Sequence, residues 1–319
     1  MIGVRAAVTS IALMILPGSC IAAPAKAPEK SAPLPITLDG KAKPTSAPTQ
    51  TVARSAPQAA NIGPFKLDRL PQQGSLALGV VPAGTKRLVV NGQDVAIASD
   101  GRFIVGFGRD YDATAIMVAY LADGTSISER QPVAKRAWQV ENLATVKRYS
   151  QPDAEFQARR PGELDQINAA RRVGVISDGW RQKFIWPAKG RISGQFGSQR
   201  IYAGEPGSPH SGVDVAGGVG APVVAPADGV VTLAASSPFT LEGNLLIIDH
   251  GMGLDSAFLH LSKILVKKGD VIRQGQPIGE IGATGRVSGP HLHWGMKWKS
   301  ERIDPQPLAG AMTLTPAKR

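Results

Sequence analysis

The chain has 319 residues, 43% of them apolar, with 36 basic against 25 acidic side chains and a formal net charge of +11. A single cysteine excludes a disulfide-stapled scaffold, and the length allows two domains plus tails. The positive charge favours an anionic partner, but no base-reading motif accompanies it, so nucleic acid is not expected.

Residues 1–23 read as a signal peptide. Arg5 precedes an apolar run from Ala6 to Leu16, too short to span a bilayer, and small residues near Ala22–Ala25 offer cleavage positions. Export to a periplasm or cell envelope is therefore expected, with no transmembrane span in the mature chain. Cys20 supplies an alternative, a lipid anchor, because Gly18-Ser19-Cys20 suits acylation although Pro17 stands where such signals usually carry Leu. Residues 24–63 are dominated by Pro, Ala, Ser, Thr and Lys; they cannot bury enough apolar surface to fold and read as an extended tether.

From residue 64 to 142 short alternating apolar runs are broken by Asn91-Gly92, Asp100-Gly101 and Asp123-Gly124, which are hairpin signals. About seven strands at this spacing predict a small β-sandwich of immunoglobulin-like type. It carries no cluster of titratable side chains, so a spacer or binding module is expected. Residues 143–184 turn polar and basic, and predict a helical connector. Pro152 and Pro161 each precede helix-forming residues, giving two short helices at 153–160 and 162–172, or one bent helix. Residues 185–310 are again β-rich and glycine-rich, and 311–319 form a tail.

All five histidines fall between His210 and His293. In His291-Leu292-His293 both imidazoles share one face of a strand, with Leu292 and Trp294 on the opposite, buried face. Pro209, Gly212, Val213 and Val215 make the segment around His210 and Asp214 a turn entering a strand. Two imidazoles, one carboxylate and an open position form a catalytic zinc site, and nitrogen donors argue against magnesium or calcium.

Three motifs in order resemble the lysostaphin-type zinc metalloendopeptidases: His210-Ser-Gly-Val-Asp214, Phe258-Leu-His260-Leu-Ser262, and Gly285-Arg-Val-Ser-Gly-Pro-His291-Leu-His293. The likeness covers about residues 185–307. It implies a mainly β protein whose last domain is an antiparallel sheet of the lysostaphin-like, duplicated hybrid motif type, with the metal in a narrow groove. It implies one Zn2+ per chain held by His210, Asp214 and His293, with His260 and His291 as the catalytic pair. Arg200, Asn244 and Arg286 are candidate substrate contacts. His250, in an Asp-His-Gly turn, reads as structural, as do the tryptophans. The activity implied is hydrolysis of peptidoglycan stem or cross-link peptides, D-alanyl–diaminopimelate bonds being the expected target, with an envelope regulator as a further partner. The alternative is a non-catalytic envelope scaffold that activates other wall hydrolases.

Overall fold

A computed structural model describes residues 63–145 and 154–313. The expected signal segment, nearly all of the tether and most of the tail lie outside the described residues.

Seven strands come first: β1 (Lys66–Leu67), β2 (Leu76–Val80), β3 (Thr85–Val90), β4 (Gln93–Val95), β5 (Arg102–Gly106), β6 (Thr114–Leu121) and β7 (Ser126–Pro132). They form two sheets, ordered β1-β2-β5 and β4-β3-β6-β7. The β3–β4 hairpin turns through Asn91 and Gly92, both at positive φ (46° and 80°), which is why an Asn-Gly pair sits there. The strand number agrees with the sequence reading; the immunoglobulin-like character of this module remains an expectation. The module packs directly on the later sheet. One apolar core runs from Phe65 and Phe103 through to Trp294 and Ile303. The carboxylate of Asp304, fully buried, receives Arg136 at 2.7 Å.

Of the two readings of the connector, a single helix is the one observed, in place of two short ones. After β8 (Val140–Leu143), one continuous helix, α1, spans Ala154–Arg171 with Pro161 inside it. Proline cannot donate the i−4 bond, but burial compensates: Ile167 and Ala170 pack on Leu233, Leu245, Ile247 and Ala257.

The remaining strands are β9 (Ile192–Gly194), β10 (Gln199–Tyr202), β11 (Glu205–Pro206), β12 (Gly212–Ala216), β13 (Pro222–Val224), β14 (Gly229–Ala234) and β15 (Asn244–Asp249). They are followed by β16 (Leu254–Leu261), β17 (Lys263–Ile264), β18 (Val271–Ile272), β19 (Pro277–Glu280), β20 (His291–Trp298) and β21 (Glu301–Ile303), and a short helix α2 (Gln306–Ala309) closes the described chain. The main sheet is ordered β18-β14-β15-β16-β20-β12-β9, with β21 on β20. Its central strands are covered on both faces, which explains the unbroken apolar run of β15. Leu246 and Ile248 enter the large core, whereas Leu245 and Ile247 lie under α1.

Candidate metal centre

Register builds the site. Strands β12 and β20 pair antiparallel with Asp214 opposite His293 and Ala216 opposite His291. Alternation sends Val213, Val215, Leu292 and Trp294 into the core, each at 0% exposure, so Asp214, His291 and His293 must share the other face. His210, on the turn entering β12, swings over the same face. The Nε2 of His210 lies 3.1 Å from Nδ1 of His293 and 3.1 Å from Oδ1 of Asp214, and that Nδ1 lies 2.9 Å from the same oxygen. A tetrahedral zinc with bonds near 2.0–2.1 Å needs donor separations of about 3.3 Å, so three converging donors of this chemistry fit zinc with one position left open.

The surroundings orient these donors. Nδ1–H of His210 donates to the Gln195 carbonyl at 3.1 Å, which leaves Nε2 as the donor atom toward the metal. Burial works against ionisation of Asp214, but the hydrogen bonds from His210 and His293 hold its carboxyl well below the usual range. Burial also lowers His293, whereas the Asp214 carboxylate raises His210 despite burial. Gly194, opposite Asp214 on β9, leaves no room for a side chain: a Cβ there would lie 2.3 Å from Oδ2 of Asp214.

His260 reaches the site by a device that motif spacing alone does not reveal. On β16, Leu259 faces His293 and Phe258 faces Trp294, so strict alternation would send His260 into the core. The β15–β16 register slips between Asn244 and Leu246, and His260 takes a left-handed φ of 65°, which returns its ring to the metal face. Its ring centre then stands 5.0 Å from that of His291 and 6.2 Å from that of His293. Nδ1–H of His260 donates to the Thr284 carbonyl (2.9 Å) and Nδ1–H of His291 to the Gly289 carbonyl (2.8 Å). With Nδ1 engaged in this way, Nε2 is the atom each ring turns to the groove. Burial pushes His260 down to about 4, so it is neutral at pH 7.

A groove of about 350 Å³ joins the site histidines to Leu241, Glu242, Leu259, Arg286, Val287 and Ser288. A larger cavity of about 660 Å³, beside the β20–β21 hairpin, contains none of the histidines, so size does not mark the site. Of the three residues expected to touch substrate, Arg286 lines the groove. The other two are engaged elsewhere: Arg200 pairs with Glu141 at 2.8 Å. Asn244 spends its amide on the Leu261 and Ser262 carbonyls, bracing the bulge that aims His260. His250 is fully buried, bonded to the Asp228 carbonyl and Ser256, and takes no part in the groove.

Comparison with known proteins finds likenesses over the part of the chain that builds the site. The model of Peptidase family M23 matches residues 208–305. Peptidoglycan DD-endopeptidase ShyA of Vibrio cholerae is 44% identical over 114 residues, which are 35% of this chain and 26% of that protein. ShyB of the same organism, also a peptidoglycan DD-endopeptidase, is 44% identical over 129 residues, 40% of this chain and 26% of its own. The chain thus spans about a quarter of the length of these relatives. A Pseudomonas aeruginosa crystal structure, described as a candidate peptidase M23, aligns with 75% of this chain and 95% of its own at 29% identity and a TM-score of 0.58.

Proposed function

We propose, on the premise of the match of residues 208–305 to the model of Peptidase family M23, that the chain is an exported zinc metalloendopeptidase hydrolysing peptide bonds in the stem or cross-link peptides of peptidoglycan. One observation carries the reading. His210, Asp214 and His293 converge as a three-donor set, and two further Nε2 atoms, of His260 and His291, face the same groove. Zinc, when bound, supplies Lewis acidity that polarises a carbonyl and lets water attack at neutral pH.

The rest is the work of the chain. His260 and His291 present Nε2 to the groove, and one of them takes the proton released as water adds to the scissile carbonyl. The ring that holds this proton then donates a hydrogen bond to the developing oxyanion, or passes the proton to the leaving amine. The groove between the Leu241–Glu242 and Arg286–Ser288 walls admits an extended peptide and suits a polymer of short, flexible peptides. D-alanyl–diaminopimelate cross-links are the expected bond, in keeping with the names of the two Vibrio relatives, and a wall substrate implies an envelope location.

The test is zinc content and muropeptide release measured together for wild type and His210→Ala. About one zinc per wild-type chain, with cross-linked dimers converted to monomers by wild type alone, supports the proposal. Wild type that binds no zinc and cleaves nothing sinks it and promotes a non-catalytic scaffold.

A further inference from the structure

The family match starts at residue 208, yet one wall of the groove is held by side chains that precede it. Helix α1 lies on the same sheet face as the metal donors, because Ala257, beneath it, is on the face of Leu259 and His293. Three of its side chains grip the loop between β14 and β15. Arg159 donates from Nη2 to the Pro238 carbonyl at 2.7 Å. Arg160 makes a two-pronged pair with Glu242, at 2.6 and 2.8 Å. Glu163 accepts both the backbone N–H of Thr240 (2.8 Å) and its hydroxyl (2.6 Å), and Arg160 also reaches Glu163 at 3.3 Å. Two-pronged charged pairs of this kind fix orientation as well as distance. The Glu163 side chain is only 7% exposed, so it is a committed part of the packing and not a solvated surface charge.

This loop is what the site leans on. Its Glu242 carbonyl accepts the N–H of His260 (2.8 Å), the residue held at positive φ. Its Leu241 carbonyl accepts the N–H of Arg286 (3.0 Å), which begins the facing wall. Leu241 and Glu242 themselves line the groove. The side-chain hydrogen bonds and ion pairs of the metal donors, by contrast, run to the Gln195 carbonyl, to His291 and to one another, and among the described residues none runs to this loop.

We propose that Arg160 and Glu163 are positioning residues of the hydrolytic site: through Glu242 and Thr240 they fix the loop that aims His260 and sets the width of the peptide groove. The proposal rests on the hydrolase reading for its kinetic arm only.

The experiment compares wild type, Arg160→Ala, Arg160→Lys, Glu163→Gln and the double variant Arg160→Ala/Glu242→Ala. Four quantities are read: kcat and KM on a purified cross-linked muropeptide dimer, zinc per chain, thermal midpoint, and hydrogen exchange of the peptide containing the His260 amide. Arg160→Ala is expected to lower kcat by about tenfold to a hundredfold, the cost of misplacing a reacting group by an ångström or so. Zinc per chain should stay at the wild-type value, and the His260 amide should exchange faster. Arg160→Lys should recover part of the rate, and adding Glu242→Ala to Arg160→Ala should cost little more, because the two residues act as one. Wild-type kcat in Arg160→Ala and Glu163→Gln, or a loss of rate that merely tracks a loss of zinc or of the folded state, would overturn the proposal. If wild type itself binds zinc but cleaves nothing, the hydrolase reading fails. The exchange arm then decides alone: unchanged protection of His260 in Arg160→Ala sinks the positioning role.

Discussion

Gly194→Ala should disable the metal centre without unfolding the protein. The added Cβ would lie 2.3 Å from Oδ2 of Asp214, 2.9 Å from its Cγ and 3.0 Å from Cε1 of His210. Ordinary non-bonded separations are about 3.5 Å, so the carboxylate must retreat by about an ångström. Metal–ligand distances tolerate only about 0.2 Å, so Asp214 can no longer complete the donor set. Loss of a supporting contact around a metal ligand alone costs 10- to 100-fold in affinity, and displacing a ligand should cost at least about 100-fold. The fold should tolerate the change, since β9 is a short edge strand of the sheet and Gly194 is only partly buried. Zinc per chain would be measured after equilibration with buffers of graded free zinc, beside thermal unfolding of the metal-stripped proteins. Gly218→Ala is the control, because nothing lies within 4 Å of a Cβ there. Wild-type zinc affinity in Gly194→Ala would refute the reasoning.

His260→Ala should lower kcat by about 10²- to 10⁴-fold while zinc per chain stays near one, read by steady-state kinetics and metal analysis; equal loss of zinc would make His260 a ligand instead. A pH dependence of stability follows from His250. Burial pushes this imidazole down to about 4 from an ordinary 6.5, so the unfolded chain takes up its proton first. The stability it contributes is complete above pH 6.5 and is lost as pH falls toward 4, by about 3 kcal/mol at most. Urea titrations of wild type and His250→Gln at pH 7.5 and pH 4.5 should show the difference between them shrinking or reversing in acid; a constant difference would contradict the shift.

Local pattern made the metal donors legible. His291 and His293 share a face because side chains alternate on any strand, and the burial of Leu292 and Trp294 at 0% exposure follows from the same alternation. Asp214 was legible through the His210-Ser-Gly-Val-Asp214 motif, although its position opposite His293 is a matter of register that only pairing reveals. His260 could be chosen by motif but not aimed, since its direction depends on a bulge and a positive φ supported by Asn244. The same long-range pairing explains the two substrate candidates that the groove does not use. Arg200 found Glu141 because β8, fifty-odd residues earlier, runs parallel to β10. The continuity of helix α1 stayed open between one element and two because Pro161 is a local stop signal, and the apolar cover that overrides it comes from strands far along the chain.

The support of the metal donors and the support of the groove wall should therefore fail in different ways. Beside the β12–β9 end of the sheet, the turn from Gln195 to Gln199 supports His210. The Gln195 carbonyl orients its ring, and Gly197 N–H donates to its backbone carbonyl at 2.9 Å. That turn is capped by Trp138, whose ring packs edge-on to Phe196 with centroids 5.7 Å apart. Trp138 lies so close to Gly197, at φ 78°, that a Cβ there would come within 2.3 Å of it. Arg109 ties the same turn from the first module, donating to the Gly197 carbonyl at 2.9 Å. Trp138→Ala removes the cap. It should cost about 3 kcal/mol in stability, the low end for a buried Trp because this one is partly exposed. It should also weaken zinc binding by about 10- to 100-fold, since His210 loses the support of its orienting carbonyl. Arg160→Ala, behind the Leu241–Glu242 wall, should spare zinc and slow turnover. Metal titration and muropeptide kinetics on the two variants separate these outcomes. A Trp138→Ala protein that unfolds earlier yet binds zinc as wild type does would mean that the first module only packs against the metal domain and does not tune it.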